Sequence, residues 1–184
     1  MEWFLHISGL ALIYGAAGTV VVLLVMRLLK HDGSRWIPLL FSTLTFVALT
    51  QHPLPDRVGM ICPINSAAPQ LVPFGFMKTF VHLYRYDASA LDWVTNQTIV
   101  AAVMNVVLCA VIGAALAPHV AKRRWMLAFG VGLTLLVETT QLTGAWGLYP
   151  CAWRKFDIDD TIMNVFGVAA GWVWMRRKRH AMLS

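Results

Sequence analysis

The sequence predicts an all-α, polytopic integral membrane protein: a helical bundle of about five transmembrane helices, N-terminus outside and C-terminus inside. Three observations predict it. First, 58% of the 184 residues are hydrophobic and 13% charged, with a mean hydropathy of +0.63. A soluble domain averages roughly 45–50% apolar and about 25% charged. This chain lacks the polar material to coat a soluble globule, and it is too apolar for disorder. Second, its apolar stretches match the roughly 20 helical residues that a ~30 Å bilayer core requires. They do not alternate as spanning strands would. Third, the basic residues gather in short segments at alternate ends of those stretches. With 13 Gly, 8 Pro and 3 Cys, collagen-like and disulfide-dense scaffolds are excluded.

The chain reads as one domain over 1–184, with spans at about 3–28, 36–51, 94–117, 125–142 and 158–175. The first has no Lys, Arg, Asp or Glu between Trp3 and Met26. Its leading flank carries Glu2 and no base, and a basic cluster follows it, so it reads as a retained span rather than a signal peptide. The second ends at His52-Pro53-Leu54-Pro55, because proline cannot continue a helix. The third stops before Pro118, the fourth contains Glu138, and the fifth starts beside Asp157.

Loop charge sets the expected orientation. With the N-terminus outside, Arg27, Lys30 and Arg35, then Lys122, Arg123 and Arg124, then Arg176, Arg177, Lys178 and Arg179 all lie inside. These are ten of the fifteen basic residues, in short dense segments where the positive-inside rule applies best. Seven of the nine acids fall outside: Glu2, Asp56, Asp87, Asp92, Asp157, Asp159 and Asp160. The net charge of +6 is thus an inner-face property, matched to anionic lipid rather than nucleic acid.

The outer loop over 52–93 is long enough to expect a role for it. Within it, 74–86 reads as an interfacial helix on the outer leaflet. Phe76, Phe80 and Leu83 share a face, with Lys78 and His82 elsewhere. It serves either as a cap over the bundle or as one wall of a lipid-facing groove. Cys62 and Cys151 both fall in outer loops, on the oxidising side, so a Cys62–Cys151 disulfide is expected. The alternative is two unrelated thiols. Cys109, inside the third span, reads as a packing residue.

The chemistry concentrates in 137–171. Ionisable residues within a membrane usually face a bundle interior or a wet cavity. Glu138 lies 14 residues past Arg124, about 21 Å along a helix. Asp160 lies 15 residues before Met175, about 22 Å from the same boundary. Both carboxylates therefore reach a similar depth, below the outer surface, with Asn105 and Gln141 slightly higher. Asp157, Asp160, Asn164, Gly167 and Gly171 recur at steps of three or four, forming one helix stripe that is polar above and glycine below. Glycines permit close helix approach. The expected arrangement packs the fourth and fifth spans along Gly167 and Gly171. Their outer halves then open into a polar pocket of Glu138, Gln141, Asp157, Asp160, Asn164 and Asn105, with Arg154 as counter-ion. The structural alternative is that these groups cross-link helices, with Asp157 capping the fifth.

At these residues the sequence resembles the VanZ family. The matching residues are Glu138 and Gln141, then Arg154, Phe156, Asp157, Asp160, Asn164, Gly167 and Gly171. They follow the family pattern E-x-x-Q…R-x-F-D-x-x-D-x-x-x-N-x-x-G-x-x-x-G. Leu71-Val72-Pro73-Phe74 and Asn105 resemble weaker features upstream. The chain departs from the family after Asn105, where an aromatic residue and a proline are more common. The resemblance implies a multi-pass protein of the bacterial inner (plasma) membrane. The family is named for an accessory protein that gives resistance to the glycopeptide teicoplanin, so a role in antibiotic resistance is implied by it.

The leading functional expectation is a site that binds an amphiphilic envelope component, with membrane lipids or a lipid-linked envelope molecule as partner and no nucleic acid. An intramembrane enzyme is the second expectation, since paired carboxylates suit acid–base chemistry, and Asp157, Asp159 and Asp160 offer oxygen ligands to a cation. Against it, no nucleophile is evident and no CxxC, HExxH, GxSxG, P-loop or GxGxxG pattern occurs. No cofactor and no dedicated metal site are expected. A non-catalytic membrane scaffold is the third.

Overall fold

The computed structural model describes residues 2–62 and 68–183. Residues 63–67, part of the long loop read from sequence, lie outside the described residues. The described chain is helical: α1 (Glu2–Leu28), α2 (Ile37–Gln51), α3 (Met77–Arg85), α4 (Ala90–Thr95), α5 (Gln97–Leu116), α6 (Arg123–Leu142), α7 (Gly144–Gly147) and α8 (Ile158–Leu183). Its one extended pairing is an isolated parallel bridge between Gln70 and Asp157. Among the described residues, three segments are long and apolar enough to cross a membrane: His6–Leu28, Gln97–Leu116 and Arg123–Leu142. The 15 residues of α2 rise only about 22 Å. The first turn of α8 carries Asp159 and Asp160.

α8 is the hub. It packs along α5 and against α6, while α2 joins α1 to α5 and α6. Phe46, Cys109, Ile112, Thr134 and Val168 are fully buried where these helices meet. Long apolar side chains such as Leu12, Val21, Leu24, Val103, Val107, Leu136 and Phe166 point outward, as expected of a surface that faces lipid.

Helix boundaries differ from the expected spans for local reasons. The third span was expected from 94, but α4 and α5 are separate helices. Ser89 and Asp92 close a capping box on α4. The extended Asn96 then caps α5, its side-chain oxygen accepting from the Thr98 and Ile99 amides at 3.0 and 3.3 Å. Two capped N-termini seven residues apart break one helix into two. Within 74–86, where an interfacial helix was expected, the chain forms the shorter helix α3. The fifth helix runs on past 175 to Leu183, with Arg176 and Lys178 laid over the rings of Trp172 and Trp174 at 5.6 and 5.5 Å.

Contacts sort the connections into two opposite ends. At one end Trp36 stacks on His119 at 4.1 Å, and the Trp172 indole donates to the Val120 carbonyl at 2.9 Å. This end carries Arg35, Lys122, Arg123, Arg124 and Arg176. The other end holds the C-terminus of α2, the N-terminus of α8 and a disulfide joining Cys62 to Cys151, with Cα atoms 5.9 Å apart.

The α6–α8 connection starts with a left-handed turn. Gly144, Ala145, Trp146 and Gly147 all have positive φ, at 63°, 51°, 60° and 89°. A Cβ at Gly144 would lie 2.8 Å from the carbonyl oxygens of Tyr149 and Cys151, so no larger residue fits there. Thr143 steadies the turn, its hydroxyl accepting from the Trp146 amide at 3.0 Å.

Candidate functional site

The expected acidic region forms a buried polar network at the disulfide end, spread over α2, α5, α6 and α8. Glu138 and Thr134 sit one turn apart on α6. The Glu138 carboxylate accepts from the Asp157 amide at 3.0 Å, satisfying a donor that the start of α8 would otherwise leave open. Asp157 caps the same helix, its Oδ1 accepting from the Asp159 amide at 2.9 Å. Asp160 reaches α5, where the Asn105 side-chain amide donates to it at 2.8 Å. One turn deeper, Asn164 donates to the Thr134 hydroxyl at 3.0 Å and accepts from the Cys109 thiol at 3.3 Å. The network thus ties α8 to both α5 and α6. Cys109, read as packing, is buried and also bonds into this network.

Gln141 and Arg154 turn toward a different acceptor. Both donate to the Thr50 carbonyl at the C-terminus of α2, at 2.6 and 3.4 Å. The last carbonyls of a helix lack internal partners and favour a positive charge. Nearby, the Gln51 side chain donates to the Val137 carbonyl at 3.4 Å.

Three expectations require correction. The glycine stripe of α8 faces α5, not α6. A Cβ on Gly167 would strike the Cys109 side chain at 2.8 Å, and one on Gly171 would strike the Ala110 carbonyl. α5 returns the contact through Gly113, which lies against the Val168 backbone. α6 approaches through Gly130 instead, against Val165 and Val168. The reason is area: a flat seam of glycines on α8 and small residues on α5 lets two backbones approach, whereas α6 brings larger side chains.

Second, Arg154 does not close an ion pair with a carboxylate. It is exposed, and its guanidinium donates to the Thr50 carbonyl at the end of α2. Third, the polar groups do not line an open chamber. Glu138, Gln141 and Asn164 are only 3%, 2% and 3% exposed, packed between helices where Glu138 and Gln141 bond to backbone and Asn164 to Thr134 and Cys109. Open clefts lie elsewhere, one of about 810 Å³ along α3 and one of about 620 Å³ beside His119 and Trp125.

Residues 36–179 match the family model VanZ/LLP1. The chain belongs to the VanZ/LLP1 family. No curated protein and no solved structure matches it. Family membership and the three apolar helices together make it a membrane protein. Within this VanZ-like chain, α1 lies outside the matched residues and packs on α2, where Gly15 faces Thr45 and Gly18 faces Leu44.

The structure also gives a different role to Asp159, read from sequence as an oxygen ligand for a cation, and a role to Gln70, which the sequence reading left out. Asp159 is 7% exposed. Its two carboxylate oxygens accept from the amides of Phe74 and, at 3.1 Å, Phe76. Gln70 holds the same loop: its side chain donates to the Val72 carbonyl at 2.7 Å and accepts from the Val72 amide at 2.6 Å. Its backbone bridges Phe156 and Ile158 at 2.8 and 3.0 Å. The Leu71–Phe74 segment is thereby fastened to the start of α8. The usable signal was Asp159 itself, an acid off the stripe facing a Pro- and Gly-containing loop whose amides need acceptors. Among the described residues, no group of three or more His, Cys, Asp and Glu is placed to hold a metal ion.

Proposed function

We propose that this VanZ-like protein acts in the bacterial cell envelope by binding the polar part of an amphiphilic envelope component at the outward end of the Glu138–Asp160 network. In this reading five helices span the plasma membrane, the N-terminus and the disulfide end face outward, and the basic end faces the cytoplasm. The observation that carries it is a set of unmet polar atoms framing the network. Gln51 Oε1, Trp153 Nε1 and Thr161 Oγ1 are buried without hydrogen-bond partners. Leaving a buried polar group unpaired costs about 1–3 kcal/mol. They lie at the end of α2, in the α7–α8 connection that holds Arg154 and Asp157, and in the first turn of α8 beside Asp160. A ligand reaches them only when this end opens, and one with hydroxyl, amide and phosphate or carboxylate groups then supplies partners to all three. Arg154 is exposed beside them, and its planar fork suits the anionic group. Glycopeptide or lipid-linked wall precursors have this chemistry, and teicoplanin resistance is the corresponding phenotype.

The test uses cells that express the full chain and are assayed for teicoplanin susceptibility and envelope lipid composition. Glu138→Gln, Asp160→Asn and Arg154→Ala are expected to remove the effect of expression while membrane abundance stays unchanged. Wild-type behaviour in all three overturns the reading.

A second reading is favoured by the closure of the network: the same groups act as a non-catalytic scaffold that fixes helix positions. It predicts that the same substitutions lower abundance. An intramembrane enzyme acting on a lipid-linked substrate predicts instead a lipid species gained or lost on expression.

A further inference from the structure

We infer that the exposed basic face of α3 is a binding site for the phosphate of an anionic lipid headgroup, separate from the Glu138–Asp160 network. The helix divides sharply. Its inward face carries Phe76, Thr79, Phe80 and Leu83, all half-buried. Phe80 meets Phe76 and Trp93 edge-on, with ring centroids 5.8 and 5.5 Å away. Its outward face carries Lys78, His82 and Arg85, all exposed. These positions follow an i, i+4, i+7 spacing, so the three basic groups stand in one row about 10 Å long. They line a cleft of about 810 Å³ together with Met77, Val81 and Tyr86. His82 is held against the Tyr86 ring at 4.6 Å.

Charge complementarity selects the occupant. The face holds three basic side chains and no acid. Of the acids near this region, Asp159 accepts the Phe74 and Phe76 amides, Asp92 accepts the Ser89 hydroxyl and amide, and Asp87 follows Tyr86, beyond the end of the helix that carries the row. The apolar neighbours select a lipid over a soluble anion. Met77, Val81, Tyr84 and Tyr86 are 47%, 46%, 79% and 74% exposed, a rim of the kind that amphipathic interfacial helices present to acyl chains and headgroups. Asp159 and Gln70 set the start of α3 against the first turn of α8, which fixes the row at the disulfide end of the bundle.

The experiment uses the purified full-length protein in mild detergent and reads retained lipid by native mass spectrometry. The probes are phosphatidylglycerol, phosphatidylethanolamine and inorganic phosphate. Wild type is expected to retain phosphatidylglycerol in preference to phosphatidylethanolamine, with inorganic phosphate failing to displace it. Each basic side chain near a membrane surface strengthens attraction to anionic lipid about fivefold. The pair Lys78→Gln and Arg85→Gln is therefore expected to lower retention by more than about tenfold. The matched pair Arg123→Gln and Arg124→Gln, at the basic end, measures the separate share of the inner-face charges, and the assignment requires that the α3 pair loses retention in its own right. If the double variant misfolds, Arg85→Lys keeps the charge and is expected to retain the lipid, whereas Arg85→Gln alone retains about fivefold less. Equal retention of the two lipids by wild type, undiminished retention in the Gln variants, or displacement by inorganic phosphate overturns the assignment.

Discussion

Asp159 shows how one side chain can govern a loop. Its two oxygens hold the Phe74 and Phe76 amides, and Phe74 sits at φ 63°, a conformation an L-residue adopts only when held. A hydrogen bond to a charged group contributes about 1.5–3 kcal/mol. Asp159→Ala removes two such bonds and leaves both amides open, so destabilisation by about 2–4 kcal/mol is expected. Asp159→Asn keeps one acceptor and has a milder effect. Thermal unfolding measures the loss, and limited proteolysis of the segment between Leu71 and Ala90 localises it. Unchanged cleavage in Asp159→Ala would mean that Gln70 alone holds the loop.

Among the elements, the packing of α8 separates what the sequence states from what it leaves open. The stripe Asp157, Asp160, Asn164, Gly167, Gly171 is legible because 3.6-residue periodicity fixes which side chains share a face. The partner of that face is not legible, since glycine permits close approach by any helix. α5 supplies Ala110 and Gly113, which match the seam, and so takes the place expected of α6. In the same way Arg154 was readable as a charge near carboxylates. Its bond to the Thr50 carbonyl depends on where α2 ends in space. Gly171→Val drives a side chain into the Ala110 carbonyl and is expected to cost about 1–3 kcal/mol by overpacking. Gly132→Ala is the control: a Cβ there meets nothing within 4 Å, and stability should hold or rise slightly. Thermal aggregation of the two purified variants distinguishes them. The disulfide acts between elements as well, closing 89 residues of chain. Cys62→Ser is expected to lose about 2–4 kcal/mol and to free Cys151 for alkylation without prior reduction.

For the whole molecule, the two ends differ in kind, and the proposed function depends on which one faces outward. One end gathers Trp36, His119, Trp172 and the dense basic segments. The other gathers the disulfide, the polar network and the basic face of α3. Short loops rich in Lys and Arg remain cytoplasmic, and disulfides persist in oxidising compartments. In the proposed reading both rules, applied to different residues, favour the disulfide end outside. Alkaline phosphatase joined after Gly59 should therefore be active in intact cells, and joined after His180 it should be inactive. A fluorescent protein that matures only in the cytoplasm should report the reverse pattern. In the same cells an impermeant maleimide should label Cys62 and Cys151 only after reduction, while Cys109 stays protected by burial between α5 and α8. An inverted pattern would place Glu138, Asp160 and Arg154 near the cytoplasmic face. An outer-leaflet amphiphile could not reach them there, which leaves helix cross-linking as the role of the network.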